Sequence, residues 1–201
     1  MPRPRASIDQ AAITAAFAPD GLHGVSADEL ARRAKVAKPT LYAHGRSKEA
    51  LFAASVEAEV ERLVARLHAA DQHTAGQPLH QRAAALAQAI LEHAVRQPAA
   101  FRLLHVTARH RRSAVATDVD RALRRIPDRI VAALRRELPE SRAAAVPVVA
   151  EALHGAAAAV ALAGTDDWVA AAATLGRAFA AGLRPPAPDP FVPSSIELGV
   201  Y

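Results

Sequence analysis

Apolar residues return at helical spacing in one segment after another of this chain. Ile8, Ala12, Ala15 or Ala16 and Phe17 fall near one face of a first helix that Ser7 can cap, and Pro19 to Gly24 ends it. Ser26-Ala-Asp-Glu29 reads as a capping box: the Ser26 hydroxyl accepts from the N–H of Glu29, and the Glu29 carboxylate returns to the N–H of Ser26. That second helix runs to about Ala34. A third begins after Ala37, with Pro39 in a first turn where its missing N–H does no harm.

Ser47 can cap a fourth helix. Its apolar positions Leu51, Val56, Val60, Leu63, Val64 and Leu67 alternate with Glu57, Glu59, Glu61, Arg62 and Arg66, and it is long enough to join two domains. Asp71 to Gln77 reads as a polar break. Pro78 and Pro98 can each open a further helix, the first through Leu79, Leu86, Ile90 and Val95 to Arg96, the second with Phe101, Leu104 and His105 inward. Asp118 to Leu138 is helical and bent or divided near Pro127. Arg142 to Ala163 and Thr165 to Leu183 complete the set, with Asp166 and Asp167 at the positive end of the last helix dipole.

The composition agrees with this pattern. Hydrophobic residues make up 51% and aromatics only 4%, so the interior is built mostly from Ala, Leu and Val, and alanine is the best helix former. The expected fold is all-α, with about nine helices: a three-helix N-terminal unit over residues 1–50 and a helical unit over 51–184. Residues 185–201 belong to a stretch with five prolines and no helical period, read as a disordered tail.

No cysteine occurs, which removes disulfides, thiolate metal sites and cysteine nucleophiles, and makes the cytoplasm the default setting. No apolar run approaches the roughly 18 residues of a membrane span, the longest being Ala156 to Ala163. There is no GxSxG, no glycine-rich phosphate loop and no HExxH helix, so neither an enzyme, a cofactor nor a metal is indicated. His93, His105, His110 and His154 read as satisfied or exposed histidines rather than ligands, and Arg109 to Arg112 as a surface loop.

Charge is uneven. Residues 1–50 carry eight Lys or Arg against five Asp or Glu, and all three lysines, Lys35, Lys38 and Lys48, lie in one short window, which points to an anionic partner. The helix pair 26–34 and 38–44 has the shape needed to place a braced helix in a DNA major groove. Residues 37, 41 and 45 share one face, so Leu41 points inward and Lys38, Pro39, Thr40, Tyr42, Ala43 and His44 are left outside. Tyr42, Thr40, His44 and Lys48 are donors suited to phosphate oxygens, whereas Lys38 suits guanine, and Thr40, Pro39 or Ala43 a thymine methyl. Spacing alone leaves open an ordinary helical hairpin with a solvated basic face.

The stretch Ile8 to Phe52 resembles the DNA-binding domain of the tetracycline-repressor (TetR) family. The match includes Phe17, Gly21, Ser26 to Ala34, Thr40-Leu41-Tyr42, His44 and Lys48 to Leu51, collinear and without gaps. The resemblance implies a dimeric transcriptional regulator, usually a repressor, whose C-terminal domain binds a small effector and releases a palindromic operator. It also puts Lys38, Pro39, Thr40, Tyr42, His44 and Lys48 at DNA-contacting positions and the last two long helices in a dimer interface. Three departures stand out: Lys35 replaces a turn glycine, Ala37 a serine cap, and Gly45 an aromatic. Gly45 gives up packing on the Leu41 face and can instead end the reading helix in the left-handed conformation. A helical small-molecule-binding or scaffold protein that has lost DNA binding is the alternative reading.

An effector pocket between the middle helices has Leu86, Ile90, Phe101, Leu104, His105, Ile130 and Leu134 as candidate lining, which suits a largely apolar ligand.

Overall fold

Helix starts follow the local chemistry of their caps. In the computed structural model, which describes residues 9–44, 47–107, 115–136, 138 and 140–183, the order is α1 (Gln10–Phe17), α2 (Gly21–Gly24), α3 (Ala27–Arg33), α4 (Lys38–His44) and α5 (Lys48–His73). Then come α6 (Leu79–Arg96), α7 (Pro98–Arg102) continuing as a π-helical turn Leu103–Thr107, and α8 (Ala116–Arg135). A 3₁₀ turn Glu140–Arg142, α9 (Val146–Ala163) and α10 (Trp168–Gly182) follow, and no strand occurs among the described residues.

Asp9, not Ser7, caps α1, accepting from the Ala11 N–H at 2.9 Å; Ser7 lies outside the described residues. Ser26 and Ser47 cap α3 and α5 as expected, each accepting from the amide three residues on at 3.1 Å. Only half of the expected capping box forms. Glu29 turns to Arg32 and Arg33, at 2.7 and 2.6 Å, because two guanidinium groups on its own helix bind a carboxylate more strongly than one amide does. The segment read as a break after Pro19 contains the single turn α2, which Gly21 enters at φ 68°.

The N-terminal core gathers Ile13, Phe17, Leu22, Leu30, Leu41 and Phe52, all buried. The Phe17 and Phe52 rings meet edge to face at 5.2 Å. Phe52 belongs to α5, so this 26-residue helix is anchored in the N-terminal unit. It spans about 39 Å at 1.5 Å per residue, and Val56, Val60, Leu63 and Leu67 are sealed along it.

The expected polar break from Asp71 to Gln77 is a correction: α5 continues to His73, and Asp71 is buried. Arginines of α6 and α8 neutralise it, which local sequence cannot reveal. α8 runs undivided through Pro127. The helix expected from Arg142 starts only at Val146, with Pro147 in its first turn, and ends at Gly164 with φ 74°. Asp167 caps α10, accepting from Ala170 at 2.9 Å.

α10 packs along α6. A Cβ at Gly176 would stand 2.4 Å from the His80 carbonyl oxygen, so this glycine permits backbone-to-backbone contact inside the chain. Apolar surface remains outward on α9 and at the start of α10, at Val148, Leu162 and Val169. α9 is long and apolar enough, by length and composition, to cross a membrane, unlike the short run expected from sequence. It nevertheless carries Glu151 and His154 and buries Ala150, Leu153 and Ala157 in the bundle.

Candidate nucleic-acid interface and ligand cavity

The turn between α3 and α4 is tight. Lys35 takes φ 56°, the one positive φ of a non-glycine residue among those described, at a cost of about 1 kcal/mol for a side chain in that region. The reversal is closed by the Val36 N–H donating to the Ala31 carbonyl at 3.0 Å. α3 is braced from behind: Arg33 donates to the Ala16 carbonyl at 3.2 Å and to Asp20 at 2.7 Å. The two arginine hydrogen bonds hold the Glu29 carboxyl down at about 2.

Leu41 is fully buried. Lys38, Pro39, Tyr42 and Ala43 are exposed on the opposite side of α4, and Thr40 is half-buried at the edge. Tyr42 leaves 39% of its surface to solvent, high for an aromatic in a chain with so few. The Lys38 ammonium lies 2.8 Å from the Asp28 carboxylate of α3, and that hydrogen bond raises its pKa. Lys48 donates to the Val25 carbonyl at 2.9 Å, tying the first turn of α5 to the loop before α3. His44 closes α4; its side chain lies outside the described residues, as do Gly45 and Arg46, and with them the packing and cap readings for Gly45.

The larger unit holds a cavity of about 370 Å³ lined by Leu104 and His105 from the π-helical turn, Asp120, Leu123, Arg124, Ile126 and Pro127 from α8, and Glu151 and His154 from α9. Of the seven expected lining residues only Leu104 and His105 are there. Leu86, Ile90, Phe101, Ile130 and Leu134 are packed core, because the apolar positions that fit a pocket also fit the interior that supports it. Asp120, Arg124, Glu151 and His154 also line the cavity and are not among the expected residues. Their signal was present: Asp120, Leu123, Arg124 and Pro127 share one helical face, and Glu151 and His154 interrupt an otherwise apolar helix at spacing i, i+3.

The His105 and His154 Nε2 atoms are 3.0 Å apart, and Phe101 stacks on His105 at 4.2 Å. His93 is separate and fully buried. Neither of its ring nitrogens has a partner, and burial lowers its pKa to about 4. His110, Arg109 to Arg112 and the tail after Leu183 lie outside the described residues. No group of three or more His, Asp or Glu among the described residues is placed to hold a metal.

The family model for bacterial regulatory proteins of the tetR family matches residues 11–55. A TetR-like transcriptional regulator from Rhodococcus sp. RHA1 shares the fold, with a TM-score of 0.65, 26% identity and coverage of 90% of this chain and 96% of that one. The regulator FadR from Bacillus subtilis in complex with stearoyl-CoA gives 0.69 at 13% identity, over 86% and 97%. The ketosteroid regulator KstR2 of Mycobacterium tuberculosis gives 0.62 at 16%, over 86% and 91%. No curated protein matches the chain in sequence.

Proposed function

We propose, from the premise that this chain belongs to the TetR family of bacterial regulatory proteins, that it is a ligand-responsive, DNA-binding transcriptional regulator. It acts as a cytoplasmic homodimeric repressor that leaves a palindromic operator when a small effector with a largely apolar body binds. Residues 1–50 contact DNA, and residues 51–184 bind effector and partner subunit.

The observation that carries this reading is α4. Its inward Leu41 locks it to the N-terminal core while Lys38, Pro39, Tyr42 and Ala43 face outward from a helix braced by α3. Lys38 is assigned to guanine, Thr40, Pro39 or Ala43 to a thymine methyl, and Tyr42, Thr40, His44 and Lys48 to phosphates. A two-fold dimer sets two such helices about 34–36 Å apart, one turn of DNA.

The outward apolar surface of α9 and α10 is the face we assign to the partner subunit, which also accounts for an apolar helix without a membrane. The cavity beneath α8 is the effector site. The stearoyl-CoA in complex with one protein of the same fold, and the description of another as a ketosteroid regulator, support an effector with a large apolar part. Nothing in this scheme requires catalysis or a cofactor.

Salt titration tests the DNA reading. Log affinity for DNA flanking its own gene should fall linearly with log salt, with a slope of about −0.9 per neutralised phosphate. Absence of binding at about 50 mM salt would favour the alternative, a bundle that binds small molecules and has lost DNA binding.

A further inference from the structure

We propose that the cavity between the π-helical turn, α8 and α9 takes a ligand whose apolar body ends in a protonated amine, held by Asp120 and Glu151. This rests on the reading of that cavity as the effector site and adds the chemistry of the ligand's charged end.

Two backbone irregularities converge on the cavity. The π turn Leu103–Thr107 contributes Leu104 and His105, and such turns recur at functional sites because the widened ring re-aims side chains. Across from it, Pro127 has no N–H, so the Leu123 carbonyl loses the donor that a regular helix supplies four residues on. Leu123 and Pro127 both line the cavity, where they join Leu104 and Ile126 in an apolar wall.

The two histidines are turned towards each other. A carbonyl only accepts, so the Nδ1 of His105, 3.1 Å from the Phe101 oxygen, is the donor there. In the neutral ring its Nε2 then carries the lone pair, and the His154 Nε2 donates to it at 3.0 Å. The facing nitrogens are committed to one another and leave the charged end of a ligand to the other polar groups.

Those groups are Asp120, Glu151 and Arg124, all exposed at the mouth. Among the described residues none of the three has an ion-pair partner within 4.0 Å. Three other arginines of α8 are taken: Arg121 by Asp118, Arg125 by Glu57 and Arg129 by Asp71. Two carboxylates against one guanidinium leave a single negative charge in excess. An ammonium brings one positive charge, which cancels that excess, and donors for the two carboxylates, whereas a carboxylate ligand would add to the excess negative charge. The volume, about 370 Å³, lies within the range of roughly 300–1,000 Å³ for small-molecule sites.

The test uses the full-length protein and three probes with one body: 3-phenylpropylamine, 3-phenylpropanol and 3-phenylpropanoate, titrated by calorimetry at neutral pH. The amine should bind about tenfold or more tightly than the other two, the range expected for a hydrogen bond to a charged group. Asp120→Asn and Glu151→Gln, both on exposed positions, should each remove most of that advantage and leave the alcohol unaffected. Leu123→Trp, checked for native circular dichroism, should block all binding by filling the cavity. Equal or tighter binding of the alcohol or acid, abolished by Leu123→Trp, would overturn the amine and keep the cavity as the effector site. Failure of all three probes to bind, or binding unchanged by Leu123→Trp, would overturn both.

Discussion

Arg82 of α6 donates to the Asp71 carboxylate of α5 at 2.7 Å, with only 3% and 1% of the two side chains exposed. The same Arg82 nitrogen donates to the Ala133 carbonyl of α8 at 2.8 Å, and Arg129 of α8 and Arg136 just after it reach the other Asp71 oxygen at 2.5 and 3.1 Å. The far end of α5 is thus fastened to α8, which also walls the cavity, while its near end carries Phe52 in the N-terminal core. Under the proposed function, a movement of α8 on ligand binding would reach α3 and α4 through α5.

Asp71→Asn should therefore destabilise strongly, by about 3–5 kcal/mol, since it removes the buried carboxylate charge on which Arg82, Arg129 and Arg136 converge. For a chain of this size that is a fall in Tm of about 6–20 °C in a calorimetric scan. Burial pushes the Asp71 carboxyl up, but hydrogen bonds from Arg82 and Arg129 outweigh it and hold it below the ordinary 3.8. Its folded pKa lies below its unfolded one, so its contribution is complete above about pH 4 and fades only as the pH drops further.

His93 acts in a higher window. Burial lowers it from 6.5 to about 4, against the opposing pull of Glu59 and with Arg66 and Arg62 reinforcing it. The unfolded chain binds the proton more readily between those values, so stability should decline as pH falls from about 6.5 to 4, by on the order of 2–3 kcal/mol. His93→Leu should flatten urea-unfolding free energy against pH over that range. An unchanged slope would show that another group carries it.

On DNA, Tyr42→Phe should weaken every operator variant about equally, and Lys38→Ala should alter preference at one base pair, each by about 1–3 kcal/mol. Lys48→Ala should also weaken all sequences, and because Lys48 holds the Val25 carbonyl it should lower Tm as well. Asp28→Asn should release Lys38 from its 2.8 Å ion pair and raise affinity for non-specific DNA. Fluorescence anisotropy across single-base operator variants separates these outcomes.

Gly176→Ala should lower Tm. The added methyl carbon would meet the His80 oxygen at 2.4 Å and the Ala84 amide nitrogen at 2.6 Å, both backbone atoms that cannot move aside, for a loss of about 1–3 kcal/mol or more. Gly182→Ala, with open space around it, should change Tm little or raise it slightly, and serves as the internal comparison.

What was legible in the sequence is what closes within a few residues. Ser26, Ser47 and Asp167 cap helices through bonds to amides three positions on, so chain order alone places them. Leu41 turns inward and Tyr42 outward by the 3.6-residue period, which holds wherever the helix docks, and Lys35, standing where the family has a turn glycine, takes the left-handed conformation. The all-α fold and the reading helix followed from these.

What only the tertiary structure decided is where distant helices meet. Asp71 looked like part of a solvated break until Arg82, Arg129 and Arg136, 11, 58 and 65 residues away, closed on it. Apolar residues such as Ile90 and Leu134 could be lining or core with the same periodicity, and the packing made them core. His105 and His154, 49 residues apart, became a pair by the docking of α9 beside the π turn. A helix period fixes which side of a helix is apolar; only the set of contacts among helices fixes which buried polar group is neutralised, which is paired and which faces a cavity.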